Sequence, residues 1–199
     1  MLSSLYYSLT DYDLLTKANF IGLRNYINIF TSDKRFWKSV EVTFIYSFFQ
    51  VPIKLAFALF IAMLFKSNRR GVNLYRSLYY LPSIFGGSIA IAIMWRQILG
   101  RQGAVNAILS SFGLIDNAVS WIASPDTALG SLILISVWQF GSPMLIFLAG
   151  LKQIPQSYYE AASIDGANAV QKFFKITLPV LSRIIFYNFL MQTISSFMA

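Results

Sequence analysis

The chain has 199 residues, of which 56% are hydrophobic, 17% aromatic and only 12% charged, with a net charge of +8 and neither cysteine nor histidine. Soluble domains carry about 25% charged residues, so this chain has half the charge needed to cover a water-facing surface, and its composition is that of an integral membrane protein. The absence of Cys and His excludes zinc, haem and iron–sulfur ligation by the usual side chains, disulfides, and any Cys or His nucleophile–base pair. The eight acidic residues fall mostly in loops. No catalytic residue and no metal are therefore expected, and the basic excess is read as membrane sidedness, with no nucleic-acid partner.

Residues 1–8 lack a basic segment followed by an apolar one, so no signal peptide is expected. Residues 1–41 hold Lys17, Arg24, Lys34, Arg35 and Lys38. Four stretches then have the length of a bilayer-crossing helix, about 20 residues: 42–65, 78–99, 128–151 and 180–199. They lack the strict alternation of barrel strands, so the expected fold class is all-α, a polytopic transmembrane helix bundle. Lys66, Arg69, Arg70 and Arg76 follow the first stretch, and Lys152, Lys172 and Lys175 follow the third, whereas 100–127 carries only Arg101 against Asp116 and Asp126. The positive-inside rule places the two basic loops in the cytoplasm and 100–127 outside. By parity 1–41 lies outside, in tension with its own basic residues. An outside N-terminus without a preceding span, and a last span that stops at Ala199, lead us to expect a fragment of a longer polytopic protein.

The spans are not uniformly apolar. Thr43, Ser47, Gln50 and Lys54 are spaced four, three and four apart, on one face of a helix. Lys54 sits mid-span, where an ammonium costs at least about 2.5–3.5 kcal/mol unless paired or hydrated; either helix carbonyls freed by a Pro52 kink hold it, or it snorkels, or it belongs to a transport path. In the second stretch Pro82, Gly86 and Gly87 permit close packing or a bend, and packing is the favoured reading. The third holds Ser131, Trp138, Gln139, Ser142 and Pro143; the fourth holds Asn188, Gln192 and Ser195. Amides, hydroxyls and an aromatic face are what a sugar site requires, so Lys54, Trp138, Gln139, Ser142, Asn188 and Gln192 are the substrate-path candidates. The alternative is that these polar residues join helices to one another.

The connection 152–179 carries the most local information. Ser157 and Glu160 have capping-box spacing, which predicts a short helix with Glu160 in its first turn. Gly166 is placed to end that helix in the left-handed conformation. Asn168 and Gln171 form a second capping pair for another short helix, which Pro179 is expected to close as the last span begins. The connection is thus a helix–turn–helix elbow at the membrane surface. Its apolar residues, among them Ala161, Ala162, Ile164, Val170, Phe173, Phe174 and Ile176, exceed what a solvated loop needs; one face can pack on the spans and the other can dock on a partner.

The segment EAASIDGANAVQKFFKITLP, Glu160 to Pro179, resembles the EAA-x-x-DGA-x5-F-x2-I-x-LP signature of ABC importer permeases of the carbohydrate-uptake, maltose-type group. FIGLRNYINIF, from Phe20 to Phe30, is similar to the family's F-x-GL-x-NY segment, and LAGLKQIP leads into the elbow as it does in such permeases. The resemblance covers essentially the whole chain, read as one incomplete transmembrane domain over 1–199. It implies a permease subunit in a bacterial or archaeal cytoplasmic membrane. Its implied partners are a second, different permease subunit, two cytoplasmic ABC ATPase subunits, an extracytoplasmic solute-binding protein and the sugar it delivers, all around the lipid bilayer. It also implies that Glu160, Ala161, Ala162, Asp165, Gly166 and Ala167 couple to the ATPase. This chain has no G-x4-GK-[ST] phosphate loop, so no cofactor is expected on it, and ATP and Mg belong to the partner. A secondary transporter or channel working without an ATPase is the alternative; it would be expected to carry an acid inside a span, and none does. A membrane anchor would be expected to lack the polar stripes.

Overall fold

The first helices are short. In a computed structural model that describes residues 2–13, 18–66 and 72–198, α1 (Leu2–Ser8) and α2 (Arg24–Thr31) precede α3 (Lys34–Leu64), a single helix of 31 residues. Lys17, Arg69 and Arg70, expected above to mark sidedness, lie outside the described residues. Beyond them the chain forms α4 (Val72–Phe85), α5 (Ile89–Ile98), α6 (Ala104–Ser111), α7 (Pro125–Trp138), α8 (Gly141–Gln153), α9 (Gln156–Ile164), α10 (Ala169–Val180) and α11 (Ser182–Phe197). An isolated antiparallel bridge, Thr10 to Phe20, accompanies the helices. The chain divides into two units, Met1–Ile45 and Tyr46–Ala199.

In the first unit the segment 20–30 acts as a knot. Gly22 has φ +61°, a left-handed backbone that glycine adopts at little cost. Asn25, three residues on, donates from its amide to the carbonyls of Ser8 (3.0 Å) and Thr10 (2.9 Å), and the Tyr26 hydroxyl pairs with Ser8 Oγ at 2.8 Å. Asp11 is held below the usual carboxylate range because the Asn19 backbone N–H, and then its side-chain amide, donate to it.

The part of α3 that belongs to the second unit, from Tyr46 onward, is inside out relative to a soluble helix. Ser47, Gln50 and Lys54 are buried, whereas Phe48, Phe57, Phe60 and Leu64 are exposed. That arrangement suits a helix whose outer solvent is hydrocarbon. By length and apolarity α3 qualifies alone to cross a bilayer, at roughly 46 Å for 31 residues, and three bent pairs qualify jointly: α4 with α5, α7 with α8, and α10 with α11.

Helix α8 sits at the centre of the packing. Its Met144, Phe147, Leu148 and Leu151 form one apolar cluster with Val51, Leu55, Ala58, Ile61 and Ala62 of α3 and with Leu181. Two glycines allow neighbours to approach it closely. A Cβ on Gly141 would lie 2.7 Å from the Tyr79 carbonyl oxygen and 2.8 Å from Tyr80 Cα of α4, and one on Gly150 would collide with Ile184 of α11. The two glycines are nine residues apart, about two and a half turns, so they serve opposite sides of α8, and α4 and α11 flank it. In a bilayer, where helices gain little from hydrophobic burial against one another, such close backbone approach is a main source of association.

Three breaks depart from the sequence reading. The stretch 78–99, for which packing was the favoured reading of its glycines, bends by 98° between α4 and α5. Pro82 lacks an N–H, Gly86 and Gly87 have no Cβ to favour helix, and Ser88 restarts the helix as N-cap, accepting from the Ile91 N–H at 3.4 Å. Gly86 does also lie at a close contact, against the Gln139 side chain. The stretch 128–151 bends by 44° at Gln139 and Phe140. Pro179 does not close the elbow's second helix: Phe173–Thr177 is a π-turn, the helix continues through Leu178–Val180, and the 68° bend follows at Leu181. The wider π-turn gives the proline ring room against the preceding carbonyls, so the helix survives it.

Candidate functional site

Two sites emerge, one among the spans and one at the elbow. The first is a cavity of about 270 Å³ bounded by three elements: Tyr46, Gln50 and Lys54 of α3; Leu132, Ile135, Ser136 and Gln139 at the end of α7; and Gln192, Ser195 and Ser196 of α11. Gln50 donates to Ser136 Oγ at 2.7 Å, while its carbonyl oxygen Oε1 is buried without a hydrogen-bond partner. Ser196 pairs with Ser47 Oγ (2.9 Å) and with the Thr193 carbonyl (2.7 Å). Lys54 is 8% exposed. Helix α3 runs through Pro52 unbroken, and among the described residues no carbonyl and no carboxylate pairs with the Lys54 ammonium. Of the stripe at spacing four, three and four, Ser47, Gln50 and Lys54 are buried, whereas Thr43 is half-buried and donates to the Ser39 carbonyl at 2.8 Å; the last two members face a polar cavity.

Of the six substrate-path candidates the structure brings Lys54, Gln139 and Gln192 to one cavity. Trp138 instead stacks edge-on against Trp95, with ring centroids 5.4 Å apart. The Ser142 side chain is exposed and only its backbone N–H is engaged, by Ser83 Oγ at 3.1 Å. Asn188 is 1% exposed and bonds along its own helix to the Ile184 carbonyl at 3.3 Å. Ser195, which shares the polar stripe of Asn188 and Gln192, also lines the cavity, as do Ser136, Ser196 and Tyr46, which the sequence reading does not name. Ser136 stands three residues before Gln139, a same-face spacing that was available in the sequence. Tyr46 carried no such signal.

The second site is the elbow. Helix α9 begins with Pro155 as its N-cap, and no side chain caps it. The expected Ser157–Glu160 box is not formed: Pro155 pins the start of the helix (φ −59°, ψ 135°), so Ser157 is already helical and Glu160 stands in the second turn, exposed. The other end follows expectation. Gly166 has φ +76°, its N–H reaches the Ser163 carbonyl (3.2 Å), and the Ala167 N–H reaches that of Ala162 (2.8 Å), the paired bonds of a Schellman motif. Asn168 and Gln171 form a complete capping box, with both bonds at 2.9 Å.

The inner face of the elbow is anchored. Tyr159 packs on the apolar cluster, its hydroxyl pairs with Thr177 Oγ1 at 2.9 Å, and the Lys66 ammonium lies 4.0 Å from its ring centroid, a cation–π contact. Lys172 donates to Ser163 Oγ at 2.7 Å and ties the two short helices together. Between them runs a groove of about 710 Å³ lined by Ala161, Ala162, Asp165, Gly166 and Ala167 on one wall and by Lys172, Lys175 and Ile176 on the other. Ile164 is 88% exposed, Val170 64% and Phe174 61%. The elbow is rigidly held on one side and presents small and apolar residues on the other.

Comparison with known proteins agrees with this architecture. Residues 32–199 match the family described as "Binding-protein-dependent transport system inner membrane component". The chain is 58% identical over 196 residues to the probable ABC transporter permease protein YesP of Bacillus subtilis, covering 98% of this chain and 63% of that protein. It is 32% identical over 188 residues to the trehalose/maltose transport system permease protein MalF of Thermococcus litoralis, covering 94% of this chain and 62% of that one. Its fold superposes with a TM-score of 0.80, at 22% identity, on a chain of a bacterial ABC transporter involved in the import of the acidic polysaccharide alginate, covering 96% of this chain and 64% of that chain. The chain thus spans less than two thirds of the length of each. With the helix bundle, the elbow and a matching family model over most of its residues, the chain belongs to the family of binding-protein-dependent transport system inner membrane components.

Proposed function

We propose that this chain forms part of the transmembrane domain of a permease subunit in an ATP-driven importer that carries a sugar or oligosaccharide into a bacterial or archaeal cell. The observation that carries the reading is the elbow: a helix pair braced from inside by Tyr159, Thr177 and Lys66, with the residues of the EAA segment along an open groove. A loop serving only as a connection has no need of a capping box, a Schellman turn and three exposed apolar residues. In this reading a cytoplasmic ATPase docks on that face and carries the ATP and Mg; Ala161, Ala162, Asp165, Gly166 and Ala167 form the contact, with Glu160 beside it. A second permease subunit completes the translocation path, and a solute-binding protein delivers the solute at the opposite surface.

The multi-pass topology proposed has 66–76 and 152–179 in the cytoplasm and 100–127 outside, following the basic residues. The polar cavity around Lys54, Gln139 and Gln192 is the proposed substrate path. A sugar as solute is supported by relatives named for trehalose and maltose, for lactose and for arabinooligosaccharides.

The test is to purify the full-length permease from its source, identify the ATPase and binding protein that accompany it, and reconstitute the complex in vesicles. Uptake of the solute retained by the binding protein is expected to require ATP. Uptake driven by an ion gradient with no ATP present would overturn the reading in favour of a secondary transporter.

A further inference from the structure

Among the described residues the buried lysine has no counter-charge. Lys54 is 92% buried in helix α3, and the walls of its cavity are otherwise neutral: Gln50, Ser136, Gln139, Gln192 and Ser195 contribute amides and hydroxyls. The eight acidic residues are Asp11, Asp13, Asp33, Glu41, Asp116, Asp126, Glu160 and Asp165, and none falls within 46–65, 78–99, 128–151 or 180–199. Nor does snorkelling relieve it. Lys54 stands ten residues from the end of α3 at Leu64, roughly 15 Å of helix, beyond the reach of a lysine side chain. An ammonium held in hydrocarbon surroundings without a partner is costly. A cost maintained at the wall of a cavity points to a partner that comes and goes.

We propose that this cavity is a subsite for the carboxylate of an acidic saccharide, with Lys54 as the group that neutralises it; the proposal rests on the importer reading and narrows its substrate class. The charge balance favours a carboxylate over a phosphate. One lysine supplies a single positive charge, equal to that of a carboxylate. A phosphate near dianionic charge is held by arginine forks, several cations or a helix N-terminus, and no arginine lines the cavity. The neighbouring groups fit the rest of a uronate ring. Gln50 Oε1 is a buried acceptor with no donor, which a sugar hydroxyl satisfies, and Gln139, Gln192 and Ser195 offer donors and acceptors for further hydroxyls. At about 270 Å³ the cavity lies just under the roughly 300–1,000 Å³ of pockets for drug-sized ligands, so it takes one sugar unit, with the rest of an oligosaccharide extending beyond it.

The experiment uses the full-length permease in its complete complex, purified in detergent, and measures equilibrium binding of digalacturonate, of the carboxyl-reduced neutral disaccharide, and of a disaccharide phosphate. Wild type is expected to bind digalacturonate at least tenfold more tightly than either of the others, in keeping with a charge-assisted hydrogen bond. Lys54→Gln should lower the acidic-to-neutral ratio at least tenfold, and Lys54→Arg should preserve most of it. Gln192→Glu keeps the lysine and offers it an internal partner, so it should lower the same ratio in a protein whose assembly is intact. Equal affinity for the acidic and neutral sugars, or an equal loss of both in Lys54→Gln and Gln192→Glu, overturns the carboxylate subsite. Preference for the phosphate overturns it in favour of a different anion. In parallel, absence of ATP-driven uptake of every solute retained by the binding protein would count against the importer reading itself, whereas ATP-driven uptake of a neutral sugar alone would leave that reading intact and remove only this subsite.

Discussion

Ser83 and Gln139 stand 56 residues apart in sequence, and the Ser83 hydroxyl donates to the Gln139 carbonyl at 3.0 Å while accepting the Ser142 N–H at 3.1 Å. Gln139 is the C-cap of α7, one residue past Trp138, and Ser142 lies in the first turn of α8, so one hydroxyl serves both an orphan carbonyl and an orphan N–H at a break in a span. In hydrocarbon surroundings such groups have no water to turn to. The same junction touches the other broken span: Ser83 is in α4, and Gly86, at the α4–α5 bend, lies against the Gln139 side chain. The two bends are thus built around each other, and together they aim Gln139 at the cavity that Lys54 lines.

Ser83→Ala should leave both backbone groups unpaired. At about 1–3 kcal/mol for an unsatisfied buried group, with the Gln139 bond part-buried and the Ser142 bond exposed, the loss is about 1–2 kcal/mol. Thermal unfolding of the full-length permease in detergent should show a midpoint lowered by several degrees, and Ser83→Thr, which keeps the hydroxyl, should recover most of it. A Ser83→Ala midpoint equal to wild type would mean that the hydroxyl does not support the junction.

Gly166→Val tests the elbow. The residue sits at φ +76°, where a side chain costs roughly 1–2 kcal/mol and a β-branched one more. Open space surrounds the missing Cβ, so the substitution acts through the backbone and re-aims α9 against α10 without a clash. Transport is expected to fall at least tenfold with the permease still inserted and with ATP hydrolysis no longer responding to loaded binding protein. Glu160→Ala, on the exposed side of α9, should show a milder form. Normal transport by the Gly166 variant would reduce the elbow to packing.

Asn106→Ala tests the loop proposed to lie outside. Asn106 is buried, its Nδ2 contacts the carbonyls of Gly100 (3.0 Å), Arg101 (3.0 Å) and Val119 (2.7 Å), and its Oδ1 accepts from the Val119 N–H (3.3 Å) and Trp121 Nε1 (3.0 Å). Removing this hub should cost about 2–4 kcal/mol locally and turn Arg101 into a trypsin site, read by limited proteolysis of the full-length protein. Unchanged resistance would show that the loop is held by other contacts.

Much of this was legible in the chain because it depends on neighbours in sequence. The apolar runs, the polar stripe of Ser47, Gln50 and Lys54, the left-handed Gly166 and the Asn168–Gln171 box follow from helical period and local backbone sterics, which operate over three to five residues. The Ser157–Glu160 box has the right spacing and still does not form, because Pro155 starts the helix first. What tertiary structure alone decided is which polar residues meet. Asn188 and Gln192 share a helix face by spacing, yet Asn188 is closed into its own helix while Gln192 reaches the cavity. Trp138 and Gln139 are adjacent, yet the break at Gln139 turns one toward Trp95 and the other toward Lys54. A break's angle depends on partners 50 and more residues away, such as Ser83 for Gln139. Residue types and spacings therefore determined that this chain lies in a bilayer with a capped elbow, and long-range satisfaction of backbone groups that have no water nearby determined where its spans bend and which side chains share a cavity.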